Sequence, residues 1–240
     1  MLLGPLRNDV RLALVGQEMH FERLSLQVPE QAHEDLVSFY RANLATGENG
    51  DLRIGVTALS FEAVAGSPFY HLAFLVPGDR FDAALAWAQT RLPLLPDPGS
   101  GQVAFEFENW NARAFYFHDA ASNIVELIAH AGVGENHESG PFNPSELLGL
   151  SEIGLVGNAA EIAAGLEEMG LPLWAGAPSQ GQLAFLGERA QTVIVTEPAR
   201  GWLPTGRPAE AHPVGVTIVG KPAAEITLGA HRIRCVPTAT

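Results

Sequence analysis

The sequence predicts an α+β fold of tandem βαβββ modules, whose mixed β-sheets curl around a cup. Two local patterns carry this prediction: strand-like stretches alternate between apolar and polar residues, and helical stretches place apolar residues at helical spacing. The third observation is that the order of one strand, one helix and further strands recurs along the chain. Such an internal repeat determines the fold more than any single element does.

The first module opens with a strand at residues 22–28, whose leucines and valine share one face. Pro29 ends this strand, and a helix with apolar residues at helical spacing follows over residues 36–44. A turn rich in Gly and Asn leads into two strands, at residues 52–56 and 58–64. The polar face of the first strand carries Arg23, Ser25 and Gln27.

The second module repeats this order. A strand at residues 70–76 ends at Pro77, and an apolar helix face follows between Phe81 and Leu92. A loop rich in Pro and Gly then leads into three strands, at residues 103–108, 112–118 and 124–130. The recurrence predicts that two modules pair with each other in one domain.

The pattern divides the chain into four parts. Residues 1–19 precede the first strand and are predicted to be an extension, of which residues 1–18 contribute little to stability. The paired modules cover residues 20–132, and a stretch rich in Gly, Asn, Pro and Ser at 133–149 is typical of a linker. Residues 150–240 are predicted to form a third, degenerate module with C-terminal strands.

Composition excludes several classes of partner. The 240 residues carry a formal net charge of -13, with 14 basic against 27 acidic residues. A protein that binds nucleic acid or an anionic membrane needs a basic surface, so neither partner is expected. The single cysteine, Cys235, cannot form an intramolecular disulfide and is typical of a cytoplasmic protein. A small-molecule ligand is the expected partner, and a homodimer stays open.

The polar residues of the strands indicate a site. The apolar face of each strand must cover the helices, so the opposite face points into the cup. Removing charged groups from water so close to a core costs free energy, unless the groups are paired or coordinate a metal. One imidazole and two carboxylates suit a divalent transition ion. The residues in question are Arg23, Glu62, His71 and Glu126.

Four segments of the paired modules form a recognisable pattern: His71-Leu-Ala-Phe, Phe115-Tyr-Phe-His-Asp119, Asn123-Ile-Val-Glu126 and, in the first module, Leu59-Ser-Phe-Glu62. Through them, the stretch from Tyr70 to His130 resembles a module of the vicinal oxygen chelate group, which includes glyoxalases, bleomycin-resistance proteins and extradiol dioxygenases. The resemblance implies that His71, Glu126 and Glu62 are metal ligands, for Fe, Mn, Zn or Ni. If the site is that of a metalloenzyme, Glu126 or Tyr116 is expected to move a proton.

One departure from the family pattern leaves two functions open. The position of the family's fourth ligand is occupied by Arg23, whose guanidinium stays protonated and cannot ligate a metal. If Arg23 instead neutralises the two glutamates, the site holds no metal. The first hypothesis is therefore a metal-dependent lyase, isomerase or dioxygenase, and the second is a metal-free protein that binds an aromatic or antibiotic-like molecule. A purely structural dimer module is a third reading.

Further residues are candidates for contact with a ligand in the cup. Ser25 shares the cup face of the first strand with Arg23. Trp110 and Arg113 could bind a substrate through the indole face and the guanidinium, or form a structural corner. His118 could be a general acid or base, or a histidine at the end of a turn. In the third module the positions that match His71 and Glu126 fall near Ser151 and Thr196, which predicts a structural or dimer-forming role for that module.

Overall fold

The computed structural model describes residues 19–46, 52–135 and 139–238, and its fold is α+β, as predicted. Three α-helices lie in these ranges: α1 is His33–Asn43, α2 is Phe81–Gln89 and α3 is Ala159–Glu168. None of the described helices has the length and apolar character needed to cross a membrane. The predicted extension, residues 1–18, lies outside the described residues, and its small contribution to stability stays a prediction. Met19 is only 1% exposed and belongs to the core, which corrects the predicted end of the extension.

The first sheet has six strands. Their bounds are β1 His20–Pro29, β2 Leu52–Ile54, β3 Thr57–Val64, β15 Val214–Val219, β16 Ala224–Leu228 and β17 His231–Val236. They are ordered β16-β17-β15-β1-β3-β2. The sheet therefore joins the first module to the C-terminal strands.

The second sheet has nine strands. Their bounds are β4 His71–Val76, β5 Leu94–Leu95, β6 Phe105–Phe107, β7 Ala112–His118, β8 Ile124–His130, β9 Gly149–Val156, β10 Leu173–Gly176, β11 Ala184–Glu188 and β12 Gln191–Thr196. They are ordered β10-β11-β12-β9-β4-β8-β7-β5, with β6 paired to β7. A separate two-stranded ribbon consists of β13 Gly201–Trp202 and β14 Arg207–Pro208.

The pairing of the modules differs from the prediction. The two modules of residues 20–132 do not share a sheet: β1 pairs antiparallel with β15, and β4 pairs antiparallel with β9. The C-terminal strands thus complete the first module, and the third module completes the second. Alternation fixes which face of a strand is buried, but the ladder of backbone hydrogen bonds is the same for any partner strand. The sequence pattern therefore could not select between these pairings.

The faces of β1 were predicted correctly. Leu24, Leu26 and Val28 are fully buried in the main core cluster, which contains residues of both sheets and of all three helices. In the second sheet, Val125 and Leu127 of β8 belong to the same cluster. The alternate residues of β8 therefore point to the other face, around which the sheet curls. Each fully buried side chain of this size contributes roughly 1.5–3 kcal/mol.

Candidate metal centre

Three ionisable side chains meet on the curled face of the second sheet. They are His71 on β4, Glu126 on β8 and Glu152 on β9, which are neighbouring strands in the middle of the sheet. Each offers one ligand atom, and these atoms all lie within 4.8 Å of one another. The residues are 5%, 3% and 2% exposed, so this triad lies inside the protein.

The strand register explains why the triad converges. Ala73 of β4 lies opposite Glu126 of β8 in the parallel ladder, and opposite Glu152 of β9 in the antiparallel ladder. Residues opposite each other in adjacent strands point to the same face. The small side chain of Ala73 therefore separates the two glutamates. His71 precedes Ala73 by two residues and shares its face.

Burial drives all three groups of the triad towards their neutral forms. It raises the pKa of Glu152 to about 8. It also raises the pKa of Glu126 well above its ordinary value, and the charge of Glu152 adds to this effect. Burial, together with the charge of Arg200, lowers the pKa of His71 to about 4. A divalent cation would favour ionised carboxylates and a neutral imidazole, which are the forms that bind metals.

The polar atoms of the triad are incompletely satisfied by the protein. His71 Nε2 lies 3.4 Å from Glu126 Oε2. The other imidazole nitrogen, Nδ1, and Glu152 Oε1 are buried without a hydrogen-bond partner in the described part of the chain. Buried polar groups are rarely left in this state, and a site for a bound ion is one recognised reason for it. The donor set thus fits a metal ion.

Two predicted members of the site, Glu62 and Arg23, are not brought to it. Glu62 lies on β3 in the first sheet, is exposed, and accepts a hydrogen bond of 3.4 Å from Gln27 Nε2. Arg23 lies on β1 of the same sheet and is also exposed. Both corrections follow from the pairing of the modules, because the first module contributes its polar face to a different sheet. Among the residues that the structure describes, no Lys or Arg forms a salt bridge with Glu126 or Glu152.

Tyr116, a predicted proton-transfer residue, lies beside the triad. It faces Glu126 across the antiparallel ladder of β7 and β8. Tyr116 lowers the pKa of Glu126, and burial raises the pKa of Tyr116 itself well above its ordinary value. His118, two residues further along β7, is half-buried, and its Nδ1 lies 3.2 Å from the carbonyl oxygen of Asn123. The roles of both residues stay predictions.

Of the other residues predicted to contact a ligand, Trp110 lies on the cup side, whereas Arg113 and Ser25 do not. Trp110 lies on the cup side, where its ring contacts those of Trp174 and Phe185. Arg113 does not: it forms salt bridges with Asp82 and Glu106, and its guanidinium lies 4.1 Å from the ring centre of Phe81. It therefore packs against the beginning of α2. Ser25 lies on β1, which belongs to the first sheet and not to the sheet that carries the triad.

Sequence reasoning missed Glu152, and the register shows why. β9 is buried along its whole length, so no alternation marks which residue faces the cup. The match to His71 is Glu152, one residue beyond the predicted Ser151. Gly154 follows Glu152 by two residues, as Ala73 follows His71, and it lies opposite Ile194. The position that matches Glu126 is therefore the apolar Ile194 rather than Thr196, and the third module supplies one ligand instead of two.

Aromatic rings line the cup around the triad. Trp174 and Phe185, from one edge of the sheet, contact Trp110 from the other edge, at ring-centre distances of 5.3 Å and 4.6 Å. Phe105 packs edge-to-face on Tyr116 at 4.9 Å. Because the two edges of the sheet meet through these rings, the sheet curls around the triad without closing its hydrogen-bond ladder.

No protein-family profile matches the sequence, and no curated protein matches it. Solved structures do resemble the fold. One is a Glu-to-Gln variant of glyoxalase I from Zea mays, with 12% identity and a TM-score of 0.49 over 95% of this chain and 96% of that chain. A proposed dioxygenase from Bacillus subtilis has 14% identity and a TM-score of 0.47 over 84% of this chain and 70% of that chain.

A third neighbour matches about half of the chain. It is a variant of a fosfomycin resistance protein from Listeria monocytogenes, solved with Mn(II), with 13% identity and a TM-score of 0.31 over 45% of this chain and 89% of that chain. Glyoxalases and dioxygenases are among the proteins that the sequence resemblance named, whereas fosfomycin resistance proteins are not. The likeness is one of fold, so the chemistry of this chain has to be argued from its own site.

Proposed function

We propose that this chain is a metal-dependent enzyme that holds one divalent ion through His71, Glu126 and Glu152. The observation that carries the proposal is the convergence of the three ligand atoms within 4.8 Å, on three buried side chains. Two buried carboxylates cannot both ionise at this distance unless a cation lies between them. An ion would also satisfy the unpartnered oxygen of Glu152.

The donor set is compatible with each of the four metals that the sequence analysis named. Imidazole nitrogen suits Zn, Fe and Ni, whereas carboxylate oxygen suits Mn and other hard ions, so these four remain the expected candidates. Three protein ligands are also what catalytic metal sites commonly supply, because further positions are left for substrate or water. This number of ligands favours a catalytic site over a purely structural one.

A bound ion of this kind acts as a Lewis acid towards oxygen atoms of a substrate. The protein's own groups orient the site and hold protons. Tyr116 faces Glu126 and lowers the pKa of that carboxyl group, and either group can hold a proton close to a ligand. The aromatic lining excludes water and suits a small organic molecule. The proposed reaction class is that of a lyase, isomerase or dioxygenase.

The metal-free alternative loses its main argument. It depended on Arg23 supplying the cation that the two glutamates need. Arg23 is exposed on the first sheet, and the carboxylates that meet are Glu126 and Glu152 of the second sheet. No described Lys or Arg takes the place of the ion through a salt bridge to either carboxylate. The metal-dependent enzyme is therefore the better-supported function.

Elemental analysis of protein purified without chelator or affinity-tag nickel tests the proposal, with calorimetry using zinc, manganese, nickel and ferrous ions. The parent is expected to bind one equivalent. Glu152→Gln removes a ligand charge but keeps the side-chain shape, and should weaken binding by about tenfold or more. The matched control, Glu62→Gln, makes the same change on the other sheet and should bind like the parent. Equal binding by the parent and Glu152→Gln would overturn the proposal.

A further inference from the structure

A short segment of the third module lies over the triad. Residues 199–209, here called the strap, contain the ribbon of β13 and β14. Trp202 of the strap stacks on the imidazole of His71, with ring centres 4.9 Å apart and an angle of 28° between the ring planes. Trp202 is 3% exposed, although its neighbour Leu203 is 46% exposed. The strap therefore inserts one ring into the cup and leaves the next residue in solvent.

The sheet makes room for this ring. Gly154 lies on β9 two residues after Glu152, and a Cβ atom there would lie 2.8 Å from Trp202 Cη2. Any other residue at this position would force the indole to move. The ring is thus held against the His71 imidazole and the backbone of Gly154, and it covers His71 from the cup side.

The strap is fastened by few contacts. Its β-strands pair only with each other among the described strands. At its base, Ala199 and Ala209 are joined by a backbone hydrogen bond of 2.8 Å. On the far side, Arg207 Nη1 donates to the carbonyl oxygen of Ser122 at 2.9 Å, and its guanidinium lies 3.3 Å from the ring centre of Phe69. Besides Trp202 itself, Arg207 is therefore a side chain that fastens the strap to the second module.

We propose that Trp202 is the specificity-determining residue of this site, and that Arg207 is the positioning residue that holds it over the triad. A ligand or ion reaches the triad only when the indole leaves. The slot that the indole occupies, between the His71 ring and Gly154, has the width of one planar ring. It therefore admits flat, unsaturated ring molecules and excludes branched ones. This proposal depends on the proposed function in one respect only, the assumption that the triad binds a ligand or an ion.

Access to His71 can be measured without any metal. In metal-free protein, the rate at which diethyl pyrocarbonate modifies His71 is followed by peptide mass spectrometry. Arg207→Met removes the cation and all donors but keeps the aliphatic stem, and should make the modification of His71 about tenfold faster. The control Arg232→Met, which removes an exposed arginine paired with Glu225 on the first sheet, should leave the rate at the parent's value. Equal rates in the parent and Arg207→Met would overturn the role of Arg207.

The role of Trp202 is tested by removal and chemical rescue. Trp202→Ala should expose His71 about as much as Arg207→Met does, and adding Arg207→Met to it should give no further increase. Added indole should restore protection in Trp202→Ala, whereas the branched probe tert-butanol should not. If indole gives no protection, the slot does not fit a planar ring and the proposal fails. Should Trp202→Ala not fold, Trp202→Phe keeps a ring in place, and its rate must stay within about twofold of the parent's.

The outcomes separate this proposal from the proposed function. If the chain binds no metal but His71 is shielded by Trp202, the enzyme proposal fails and the assignment of Trp202 stands. If the metal binds and Arg207→Met changes neither the His71 modification rate nor the rate of Mn²⁺ association, the enzyme proposal stands and this one fails. Rapid-mixing fluorescence can follow the association of Mn²⁺, and a rate about tenfold higher in Arg207→Met is expected.

Discussion

At the scale of single residues, burial separates the glutamates that can hold a metal from those that only resemble metal ligands. Glu62 is exposed, and water stabilises its charge without an ion. Glu126 and Glu152 are buried side by side, and each raises the cost of ionising the other. Tyr116, which faces Glu126 across the β7–β8 ladder, relieves part of this cost by lowering the pKa of Glu126. The affinity of the triad for an ion should therefore depend on Tyr116 although it is not itself a ligand.

We expect Tyr116→Phe to weaken metal binding by about tenfold, since partners that orient a ligand commonly affect affinity to this extent. Calorimetric titration with Mn²⁺ measures the change. Tyr70→Phe is the matched control, because the Tyr70 hydroxyl donates to the carbonyl oxygen of Pro213 and does not touch the triad. That control should lower the free energy of unfolding and leave metal affinity unchanged. The same affinity for Tyr116→Phe and the parent would contradict a supporting role.

At the scale of elements, the sequence was informative where strands have one polar face. β1 alternates in exposure, so its core face could be assigned from the pattern. His71 and Glu126 were placed on one face correctly, because each interrupts an apolar strand. β9 is buried on both faces, so its pattern does not distinguish Ser151 from Glu152. The pattern could not predict which strands are neighbours. Glu152 reaches the triad only because β9 pairs with β4.

The strand register makes a prediction about β12. If Ile194 occupies the position that matches Glu126, Ile194→Glu places a third carboxylate, and so a fourth ligand, at the triad. Without metal this variant should lose about 2–4 kcal/mol of unfolding free energy, because a buried carboxylate has no partner. Mn²⁺ should raise the unfolding free energy of Ile194→Glu by more than it raises that of the parent. Denaturant unfolding with and without Mn²⁺ measures both values.

Thr196→Glu is the control for this prediction, since it introduces the same charge two residues further along β12. Thr196 is buried, and its hydroxyl donates to the carbonyl oxygen of Gln182. The control should therefore also be destabilised, but Mn²⁺ should not rescue it. Rescue of Thr196→Glu in place of Ile194→Glu would mean that the third module is out of register with the second by one pair of residues.

At the scale of the whole molecule, pH should affect stability through buried histidines. Burial and the charge of Arg189 lower the pKa of His130 from 6.5 to about 4. The unfolded chain therefore binds more protons than the folded chain between these values. The contribution of His130 is complete above about pH 6.5 and is lost as the pH falls towards 4, by up to about 3 kcal/mol.

Urea unfolding at pH 7.5 and pH 5 tests this effect. His130→Phe has no titratable group at this position and should lose less stability between the two pH values than the parent does. Leu228→Ala, a buried substitution on β16, should lower stability by a similar amount at both pH values. An equal pH dependence in His130→Phe and the parent would show that His130 is not the group responsible.

The ligands of the triad come from two modules that are separate in sequence, and this connects metal binding to the stability of the whole chain. β4 and β8 belong to the second module, and β9 belongs to the third. An ion that binds the folded protein at 100 times its dissociation constant adds about 2.7 kcal/mol. For a chain of this size we expect a melting temperature roughly 5–10 °C higher. Differential scanning calorimetry of metal-free and metal-loaded protein measures the shift.

Variants on the two sheets show whether that shift originates at the triad. Glu152→Gln should melt at nearly the same temperature with and without the ion, because the contribution of the third module to the site is lost. Glu62→Gln should keep the full shift, because its carboxylate lies on the first sheet. If Glu152→Gln is stabilised as much as the parent, the ion binds elsewhere. In that case the ion does not join the second and third modules, and the pairing of β4 with β9 places three polar side chains together for some other reason.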